Sequence, residues 1–452
     1  MKRLLFALIT LTLISFAFAE TTYPTTVAEM TAEITLNGSG KISDLKKDEE
    51  VKFQTLTFQD TPYQEVNSIQ EIMLTNGKQI KPTYTLDEYN NKNVNFTIKE
   101  NGTFEYYIKA NITRKSIIYN LTDYEIDQNL GAEKDYLQKS TKIESDSTEI
   151  TTLAKNKFQN TTLLETLNEI VFWVNDYVTY ATGDDFQKYY LLQRTAIETL
   201  LDKKGVCDEF ANLAAALLRA KEIPTRTAIG ITFDGKEWGN HAWIDFYHKD
   251  AGWIPSDPTF REAGFVDATH IKLGSFLDVS ESQAKCIYPQ SANCTFNAQT
   301  NLPQVQILDT KYFSQVEINT DTTEITANKW NDIVLTVENK TEGTLSVPIS
   351  IKENYQGIAI QQKTQALILE GGKKGQATFK IYPEIELGQN EIAKGTLTFN
   401  TLAPPYKKDI TINPGTETDN GKVIVLDVTP IATQRQLFLD ISVGNYTKKK
   451  HK

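Results

Sequence analysis

Three side chains in the middle of the chain are of the types that perform acyl transfer. Cys207 occurs in KKGVCDEFANLAAALLRAKEIPTR, His241 in GNHAWIDFY and Asp257 in GWIPSDPTF. A thiol can attack a carbonyl carbon, an imidazole can move the proton, and a carboxylate can orient the imidazole. The three residues therefore predict a cysteine-dependent enzyme that forms a thioester with an amide substrate.

Cys207 is predicted to open a helix, because Gly205 permits a tight entry and an apolar helical periodicity follows. The unpaired backbone N–H groups of a first helical turn favour a thiolate and can hold an oxyanion. Asp208 and Glu209 oppose a thiolate by charge repulsion unless their side chains face solvent. The alternative interpretation of Cys207 is a buried structural cysteine.

The catalytic base can be sought by elimination among four histidines. His451 lies in the basic tail, His248 lies at a predicted turn, and His270 lies beyond the predicted strand pair. His241 remains, at the start of a predicted strand. A single histidine is more often structural than catalytic, so this assignment depends on a nearby carboxylate.

Two short strands, HAWIDFY and GWIPSDP, predict a hairpin whose turn is centred near Lys249. In that register His241 pairs with Asp257, and directly opposite residues have Cβ atoms about 4.5–5.5 Å apart. Asp245 shares the face of His241 but lies about 13 Å along the strand. Asp257 is therefore the predicted orienting carboxylate.

The elements around these residues follow from hydrophobic periodicity. The spacing predicts helices over TTLLETLNEIVFWVNDYVTY, over residues 195–201 and after Cys207, the last ended by Pro224. The segment TRTAIGITF predicts a strand beside the hairpin. Asn76-Gly77 and Asn101-Gly102 predict two hairpin turns in a β-rich region that precedes the helices.

The chain divides by composition and pattern into five segments. They are a signal peptide at 1–19, an N-terminal β-sandwich at 20–135, a catalytic core at 136–300, an immunoglobulin-like β-sandwich at 301–410, and C-terminal strands with a basic tail at 411–452.

Export is predicted from the amino terminus, where a basic start, a short apolar run and Ala17-Phe18-Ala19 are typical of a cleaved signal peptide. Nine glycosylation sequons agree with a secreted or cell-surface protein. The sequons lie at Asn37, Asn95, Asn101, Asn111, Asn120, Asn160, Asn293, Asn339 and Asn445.

The three cysteines fit an oxidising compartment if Cys286 and Cys294 close a small disulfide and leave Cys207 free. The net charge of −11 argues against a nucleic-acid partner. No cofactor or metal is expected: Gly183-Asp184-Asp185 is too sparse for a calcium loop, and no His/Cys cluster suits zinc. The predicted partners are a protein or peptide substrate and cell-envelope components.

The sequence resembles the transglutaminase-like superfamily in four motifs that occur in the family's order, over residues about 140 to 265. The motifs are Gly205-Val206-Cys207, Leu218-Arg219-Ala220 with Ile223-Pro224-Thr225-Arg226, His241-Ala242-Trp243, and Trp253 with Asp257-Pro258-Thr259.

The resemblance implies a multidomain protein in which an α+β papain-like transglutaminase core is flanked by β-sandwich domains. It implies Cys207 as nucleophile, His241 as base and Asp257 as orienting residue. One departure is Glu222, where the family commonly has glycine before Ile-Pro.

The aromatic residues near the motifs have weaker predictions. Trp173 or Tyr180 would be the second oxyanion donor if either is not simply core. Trp238 would pack or wall a substrate slot, and Trp243 and Trp253 would pack against the helix.

Three functions follow from these patterns. The first is an exported cysteine hydrolase or acyltransferase acting on protein or peptide amides, with water favoured over an amine as acceptor because water reacts unless a site excludes it. The second is a non-catalytic cell-surface binding or adhesion protein that keeps the core as a scaffold. The third is a structural protein in which Cys207 forms an intermolecular disulfide.

Overall fold

The structure, a computed structural model, describes most of the chain between residues 27 and 425. The predicted signal peptide at 1–19 lies outside the described residues, as do residues 416–422 and 426–452 of the C-terminal segment. Among the described residues, no helix is long and apolar enough to cross a membrane. The described residues are 27–119, 121, 123–126, 131–235, 237–281, 284–297, 302–351, 357–388, 390–415 and 423–425.

The elements are numbered along the chain. The strands are β1 Val27–Ser43, β2 Val51–Leu56, β3 Gln64–Thr75, β4 Lys78–Ile80, β5 Thr83–Leu86, β6 Lys92–Ile98, β7 Gly102–Lys115, β8 Thr179–Tyr180, β9 Lys204–Gly205, β10 Thr225–Phe233, β11 Trp238–His248, β12 Gly252–Ser256, β13 Ile271–Phe276, β14 Lys285–Ile287, β15 Asn293–Asn297, β16 Gln304–Tyr312, β17 Val316–Asn319, β18 Glu324–Thr326, β19 Asn331–Asn339, β20 Leu345–Ile351, β21 Ile358–Ile360, β22 Thr364–Leu369, β23 Lys374–Pro383, β24 Ile392–Thr401, β25 Ala403–Asn413 and β26 Val423–Val425. The α-helices are α1 Thr148–Lys157, α2 Leu163–Tyr177, α3 Asp184–Leu192, α4 Ala196–Asp202 and α5 Cys207–Ala220, and short 3₁₀ helices span Ala132–Leu137 and Val279–Glu281.

The N-terminal region consists of two sheets around one apolar core. One sheet has the order β15-β1-β7-β3-β4 with β16 also paired to β1, and the other has the order β14-β2-β6-β5. Alternate residues of β2 and β7 are buried, as expected for strands with one face on a core. Phe53, Phe96 and Phe104 are fully buried between the sheets.

Three strands that follow the helical core return to these N-terminal sheets. β14 pairs with β2, and β15 and β16 both pair with β1. The predicted boundary at residues 300–301 therefore does not coincide with the strand pairing, since β14, β15 and β16 all extend the first two sheets. Hydrophobic patterning marks strands but does not identify their partners.

One of the two predicted hairpins forms. Asn76 and Gly77 both have positive φ, and Thr75 pairs with Lys78 across that turn. The second prediction, a hairpin at Asn101-Gly102, is wrong because β6 and β7 belong to different sheets. The Asn101 side chain instead bonds both backbone groups of Leu45, so this turn carries the chain from one sheet to the other.

A cluster of helices packs on one face of the third sheet, whose order is β12-β11-β10-β13. Helix α5 lies at the centre, because nearly all of its residues are buried against α1, α2, α4 and the sheet. Its end departs from helical geometry at Glu222, which has a φ of 63°. Glycine adopts that region without strain, which is a physical reason for glycine at this position in the family the sequence resembles.

The C-terminal strands form two further sheets around a separate apolar core. Their orders are β17-β19-β23-β21 and β18-β25-β24-β20-β22, with β26 paired to β24. Asn339 is fully buried and its amide donates to the carbonyls of Gly343 and Leu369, so the folded protein has no glycan acceptor there. Asn95 is buried in the same way in the N-terminal sheets.

The cysteines have the states that their spacing predicts. Cys286 and Cys294 are joined by a disulfide, while Cys207 is free and buried. The disulfide connects β14 in one N-terminal sheet with β15 in the other. It therefore ties together the two layers of that region.

Candidate active site

The start of α5 is held by the buried side chain of Glu209. Its carboxylate accepts from the N–H of Val206 at 2.6 Å and from the N–H of Arg194 at 2.7 Å. A Cβ on Gly205 would lie 2.3 Å from the Cβ of Glu209, so only glycine fits at that approach. Burial raises the pKa of Glu209 to about 7.

Cys207 occupies the first turn of this helix and is only 5 % exposed. Burial raises the pKa of its thiol well above the usual value, and the Asp208 carboxylate, 3.8 Å from the sulfur, raises that pKa further. The backbone N–H of Ala242 donates to the sulfur and opposes both effects. The thiol, and not the thiolate, is therefore the resting form.

Asp208 was expected to leave a Cys207 thiolate undisturbed only if its side chain faced solvent. The side chain does not face solvent. The residue is half-buried. Its carboxylate lies between the Cys207 sulfur and the side-chain amide of Gln193, whose nitrogen is 3.5 Å from Asp208 Oδ2. Burial raises the pKa of Asp208, and the nearby His241 opposes the shift. Cys207 and His241 thus share the Asp208 carboxyl as a neighbour.

His241 and Asp257 are in contact: His241 Nε2 and Asp257 Oδ2 are 2.7 Å apart. The register of the hairpin differs from the prediction, because Ile244 pairs with Ser256 and the ladder ends there. The shift moves the turn by one residue and preserves which face each side chain occupies. Asp257 leaves the strand, and its carboxylate still reaches the imidazole.

Asp257 is fixed by the turn that follows β12. Its backbone exchanges two hydrogen bonds with Glu262, and its Oδ1 accepts from the N–H of Thr259 at 2.6 Å. Burial alone would raise the pKa of the Asp257 carboxyl, but the charge and hydrogen bond of His241 and the hydrogen bond of His270 hold that pKa below its usual range. Asp257 is therefore ionised and acts as a hydrogen-bond acceptor.

The His241 ring is held by aromatic neighbours as well. Phe260 stacks on it with ring centroids 5.1 Å apart, and Trp243 stacks with centroids 6.0 Å apart. Because Nε2 is occupied by Asp257, Nδ1 is the ring nitrogen left to exchange a proton with Cys207. This geometry gives a base with a fixed orientation.

His270, set aside in the sequence analysis because it lies outside the strand pair, belongs to the same network. Its Nε2 is 2.9 Å from the Asp257 oxygen that binds His241, and its Nδ1 is 3.1 Å from Asp267 Oδ1. No spacing signal identifies this residue, because a long loop brings it back to Asp257. Asp245, the rejected alternative, bonds Arg226 and Lys272 instead.

Cys207 and His241 line one cleft of about 450 Å³ between the core and the N-terminal sheets. On one side are apolar side chains of β1, β7 and β15, including Leu36, Ile108 and Phe296. The polar side chains that line the cleft include Tyr190, Gln193, Asp208 and Asn240, and the Asp208 carboxylate lies 3.8 Å from the Cys207 sulfur.

The second oxyanion donor is better sought among these cleft residues than at the two predicted positions. Trp173 stacks on Tyr177, Tyr180 packs on Phe210, and neither lines the cleft. Tyr190 lines it, and Asn240 Nδ2 lies 3.4 Å from the Tyr190 hydroxyl. Burial raises the pKa of Tyr190, so its hydroxyl remains a donor at neutral pH.

The predicted roles of the other tryptophans are met only in part. Trp238 packs on Phe233 and does not line the cleft. Trp243 packs with Ala228 and Val266, and Trp253 with Tyr136 and Tyr247, so neither packs against α5 as predicted. Alternation along β11 explains this for Trp243, because Ala242 and Ile244 occupy the face that meets the helix.

His241, Asp257 and His270 form a three-residue cluster of the kind that can ligate a metal. Their nitrogen–oxygen distances of 2.7 and 2.9 Å are those of hydrogen bonds. Tetrahedral zinc at about 2.0–2.1 Å from each ligand would hold the ligand atoms farther apart. The cluster therefore fits shared protons rather than an ion.

Comparison with known proteins identifies the central domain. Residues 151–258 match the family model of the transglutaminase-like superfamily. A stretch of 71 residues is 34% identical to uncharacterized protein YebA of Bacillus subtilis, and 73 residues are 33% identical to a protein-glutamine gamma-glutamyltransferase of Pseudomonas aeruginosa. These stretches cover 13% and 14% of this chain, and only 10% and 11% of those proteins.

Two solved structures align with parts of the chain. A candidate cysteine protease of Cytophaga hutchinsonii has a TM-score of 0.46 at 21% identity, and the match covers 63% of this chain and 93% of that one. A Salmonella enterica SafA pilin–SafB chaperone complex has a TM-score of 0.18 at 12% identity, covering 24% of this chain and 57% of that one. The match that carries the most specific information remains the one over residues 151–258.

Proposed function

The chain carries a transglutaminase-like domain, and we propose that it is an exported cysteine enzyme that acts on protein or peptide amides through a thioester. The observation that supports this most is the convergence of Cys207 and His241 on one cleft, with Asp257 bonded to the imidazole at 2.7 Å. These residues are far apart in the sequence, and a cleft lined by a thiol and an imidazole, with a buried carboxylate bonded to that imidazole, has the parts of an acyl-transfer site.

Because the resting thiol is neutral, the first step would be attack assisted by a general base. As the sulfur bonds to the amide carbon, His241 Nδ1 takes the thiol proton, and the carbonyl oxygen becomes an oxyanion. The N–H of Cys207 in the first helical turn and the Tyr190 hydroxyl are the donors available to it. His241 then gives the proton to the departing amine, and the C–N bond breaks to leave the thioester.

In the second half of the reaction, His241 would remove a proton from the acceptor as it attacks the thioester. We propose water as the acceptor, which releases a carboxylic acid and restores the thiol. Polar Gln193, Asp208 and Asn240 line the cleft and can hydrogen-bond a water molecule there, which supports water as the acceptor. The named activity of the Pseudomonas relative makes an amine the alternative acceptor.

A trapping experiment tests the proposal directly. Cys207 is the only free thiol of a three-cysteine chain whose other two are paired, so any thioester or alkylation maps to it. The protein is incubated with a peptide library in H₂¹⁸O, with and without a primary amine, and quenched in acid. We expect acyl-Cys207 by mass spectrometry and ¹⁸O in the new carboxyl group.

The matched control is Cys207→Ala, which should lower turnover by roughly 10⁴-fold because no nucleophile remains. Equal turnover by this variant contradicts the cysteine mechanism. Incorporation of the amine in preference to ¹⁸O would replace hydrolysis with acyl transfer as the reaction.

The burial of Cys207 favours one rival, a cell-surface binding protein that keeps the domain as a scaffold. A thiol that is 5 % exposed and has a raised pKa can also be an inert core residue. In that case a cell-envelope partner would bind the wild-type protein and Cys207→Ala equally well, and no peptide would be turned over.

A further inference from the structure

Asp257 lies between two imidazoles. Its Oδ2 is 2.7 Å from His241 Nε2 and 2.9 Å from His270 Nε2, and all three side chains are almost completely buried. A carboxylate oxygen has two lone pairs and can accept from both rings at once. In that arrangement each Nε2 carries a hydrogen.

The other ring nitrogen of His270 also faces an acceptor. Its Nδ1 is 3.1 Å from Asp267 Oδ1, and the same oxygen accepts from the N–H of Thr269 at 3.0 Å and from its hydroxyl at 2.5 Å. An oxygen that accepts from two other donors is itself no donor. Both nitrogens of His270 must then carry hydrogens, which makes the ring an imidazolium.

The surrounding charges agree with a cation at this place. Glu262 Oε2 lies 3.8 Å from His270 Nδ1 and favours a positive ring. The Arg114 guanidinium of β7, which donates to the His270 carbonyl at 2.6 Å, acts in the opposite direction. Burial would lower the pKa of His270, but Glu262 and the hydrogen bonds to Asp257 and Asp267 raise it to about 10. Burial raises the pKa of the Glu262 and Asp267 carboxyls, and the positive charge of His270 opposes both shifts.

We propose that His270 is a positioning residue of the active site, a buried imidazolium that holds Asp257 ionised and oriented so that Asp257 fixes the His241 ring for its role as base. It acts through Asp257, because a cation on one side of a carboxylate weakens the attraction of that carboxylate for a second cation. On the cleft side, Asp208 is the charge that acts in the opposite direction on His241. The catalytic significance of His270 rests on the proposed function, whereas the coupling of His270 to His241 through Asp257 exists without turnover.

The coupling can be measured on the folded protein by NMR of ¹³C,¹⁵N-labelled histidine, since the chain has four histidines. In the wild type we expect both ring nitrogens of His270 to remain protonated from pH 6 to 9. In His270→Gln, whose amide keeps a donor towards Asp257, the titration midpoint of His241 should rise by about 1–2 pH units. The acidic limb of kcat/KM should move by the same amount, with kcat reduced about tenfold and KM little changed.

The matched control is His248→Gln, a buried histidine of the same strand as His241 that lies outside the network and packs on Tyr124. It should leave the midpoint of His241 unmoved. If His270→Gln does not fold, Asp267→Asn takes its place: His270 should then lose its proton at lower pH, and the His241 midpoint should rise by a smaller amount.

Three results would overturn the proposal. They are a singly protonated His270 ring at pH 7, an unmoved His241 midpoint in a folded variant, and stoichiometric binding of added zinc at these rings. If His270→Gln shifts the His241 midpoint but the protein turns over no peptide, the role of His270 stands and the proposed function is refuted. If peptides are turned over but the midpoint does not move, only the role of His270 is refuted.

Discussion

Cys207 and His241 face the same cleft, but the charges around them act in opposite directions. Beside the sulfur, burial and the Asp208 carboxylate raise the pKa of the thiol and disfavour its anion. Behind the imidazole, His270 and His241 lower the pKa of Asp257 and favour its anion. The surroundings of Cys207 thus oppose a charge on its sulfur, whereas the surroundings of Asp257 stabilise the charge on its carboxylate.

The difference indicates how the site is prepared before substrate arrives. The His241 ring is fixed by a hydrogen bond and by stacking with Phe260, while Cys207 is a neutral thiol. In the proposed reaction, the sulfur would become nucleophilic only as the carbonyl is attacked. A neutral buried thiol also reacts slowly with oxidants, which would suit the export proposed above.

Asp257→Asn breaks the base side of the comparison and should have the largest effect. The amide can place a donor towards His241 Nε2 and favour the wrong tautomer, so we expect kcat to fall by roughly 10³-fold with KM little changed. Steady-state kinetics on a peptide substrate measures this. A loss below about threefold, with an unchanged melting temperature, would show that Asp257 does not orient the base.

Tyr190→Phe sharpens the nucleophile side, since it removes one hydroxyl from the cleft. Loss of an oxyanion donor should lower kcat by about 10- to 100-fold. Tyr189→Phe is the matched control, because Tyr189 packs with Ala181 and Val206 and does not line the cleft. Equal kcat for the two variants would assign the second donor to another group, with Gln193 the next candidate.

Asp208→Asn tests whether the carboxylate 3.8 Å from the sulfur suppresses the thiolate. Removing this charge should lower the pKa of the Cys207 thiol and raise its rate of alkylation by iodoacetamide at pH 7 by about tenfold. Glu165→Gln, an exposed change of the same charge on α2, is the control. An unchanged alkylation profile would leave burial alone as the cause.

The pH dependence of stability should show the smallest effect. The pKa of His270 is raised to about 10, so its contribution is complete below the unfolded value near 6.5 and is lost as pH rises. The pKa of Lys272 is lowered to about 8, which offsets the loss above that pH. Between pH 6.5 and 8 we therefore expect the free energy of unfolding to fall by about 1–2 kcal/mol.

Denaturant titrations of wild type and His270→Gln at three pH values in this window provide the measurement. The variant should show a smaller fall over this window, with Glu209, whose pKa is raised to about 7, still contributing at its lower end. The same slope in both proteins would mean that His270 is not the titrating group.

Much of the core domain follows from local pattern. The helical spacing predicts α2, α4 and α5, and residues 225–233 form the predicted strand β10. The predicted hairpin register pairs His241 with Asp257, whereas in the structure the turn is displaced by one residue. The two side chains are nevertheless in contact. The error did not separate the residues, because alternation fixes the face of a strand more firmly than the turn fixes its pairing.

The parts that sequence could not predict depend on distant segments. His270 reaches Asp257 through a loop whose path is set by packing, and Tyr190 reaches the cleft from α3. Asn101-Gly102 has the residues of a hairpin turn, yet its flanking strands find partners elsewhere. The apolar side of the cleft comes from β1 and β7, which no motif connects with Cys207.

The long strand β1 has a consequence for how the protein is made. Its partners on one side, β15 and β16, emerge from the ribosome only after the entire helical domain has been synthesised. Until then one edge of β1 is unpaired, and exposed edges invite association between chains. A nascent or truncated polypeptide that stops after β13 would therefore be aggregation-prone, even though all three residues of the proposed catalytic trio are present in it.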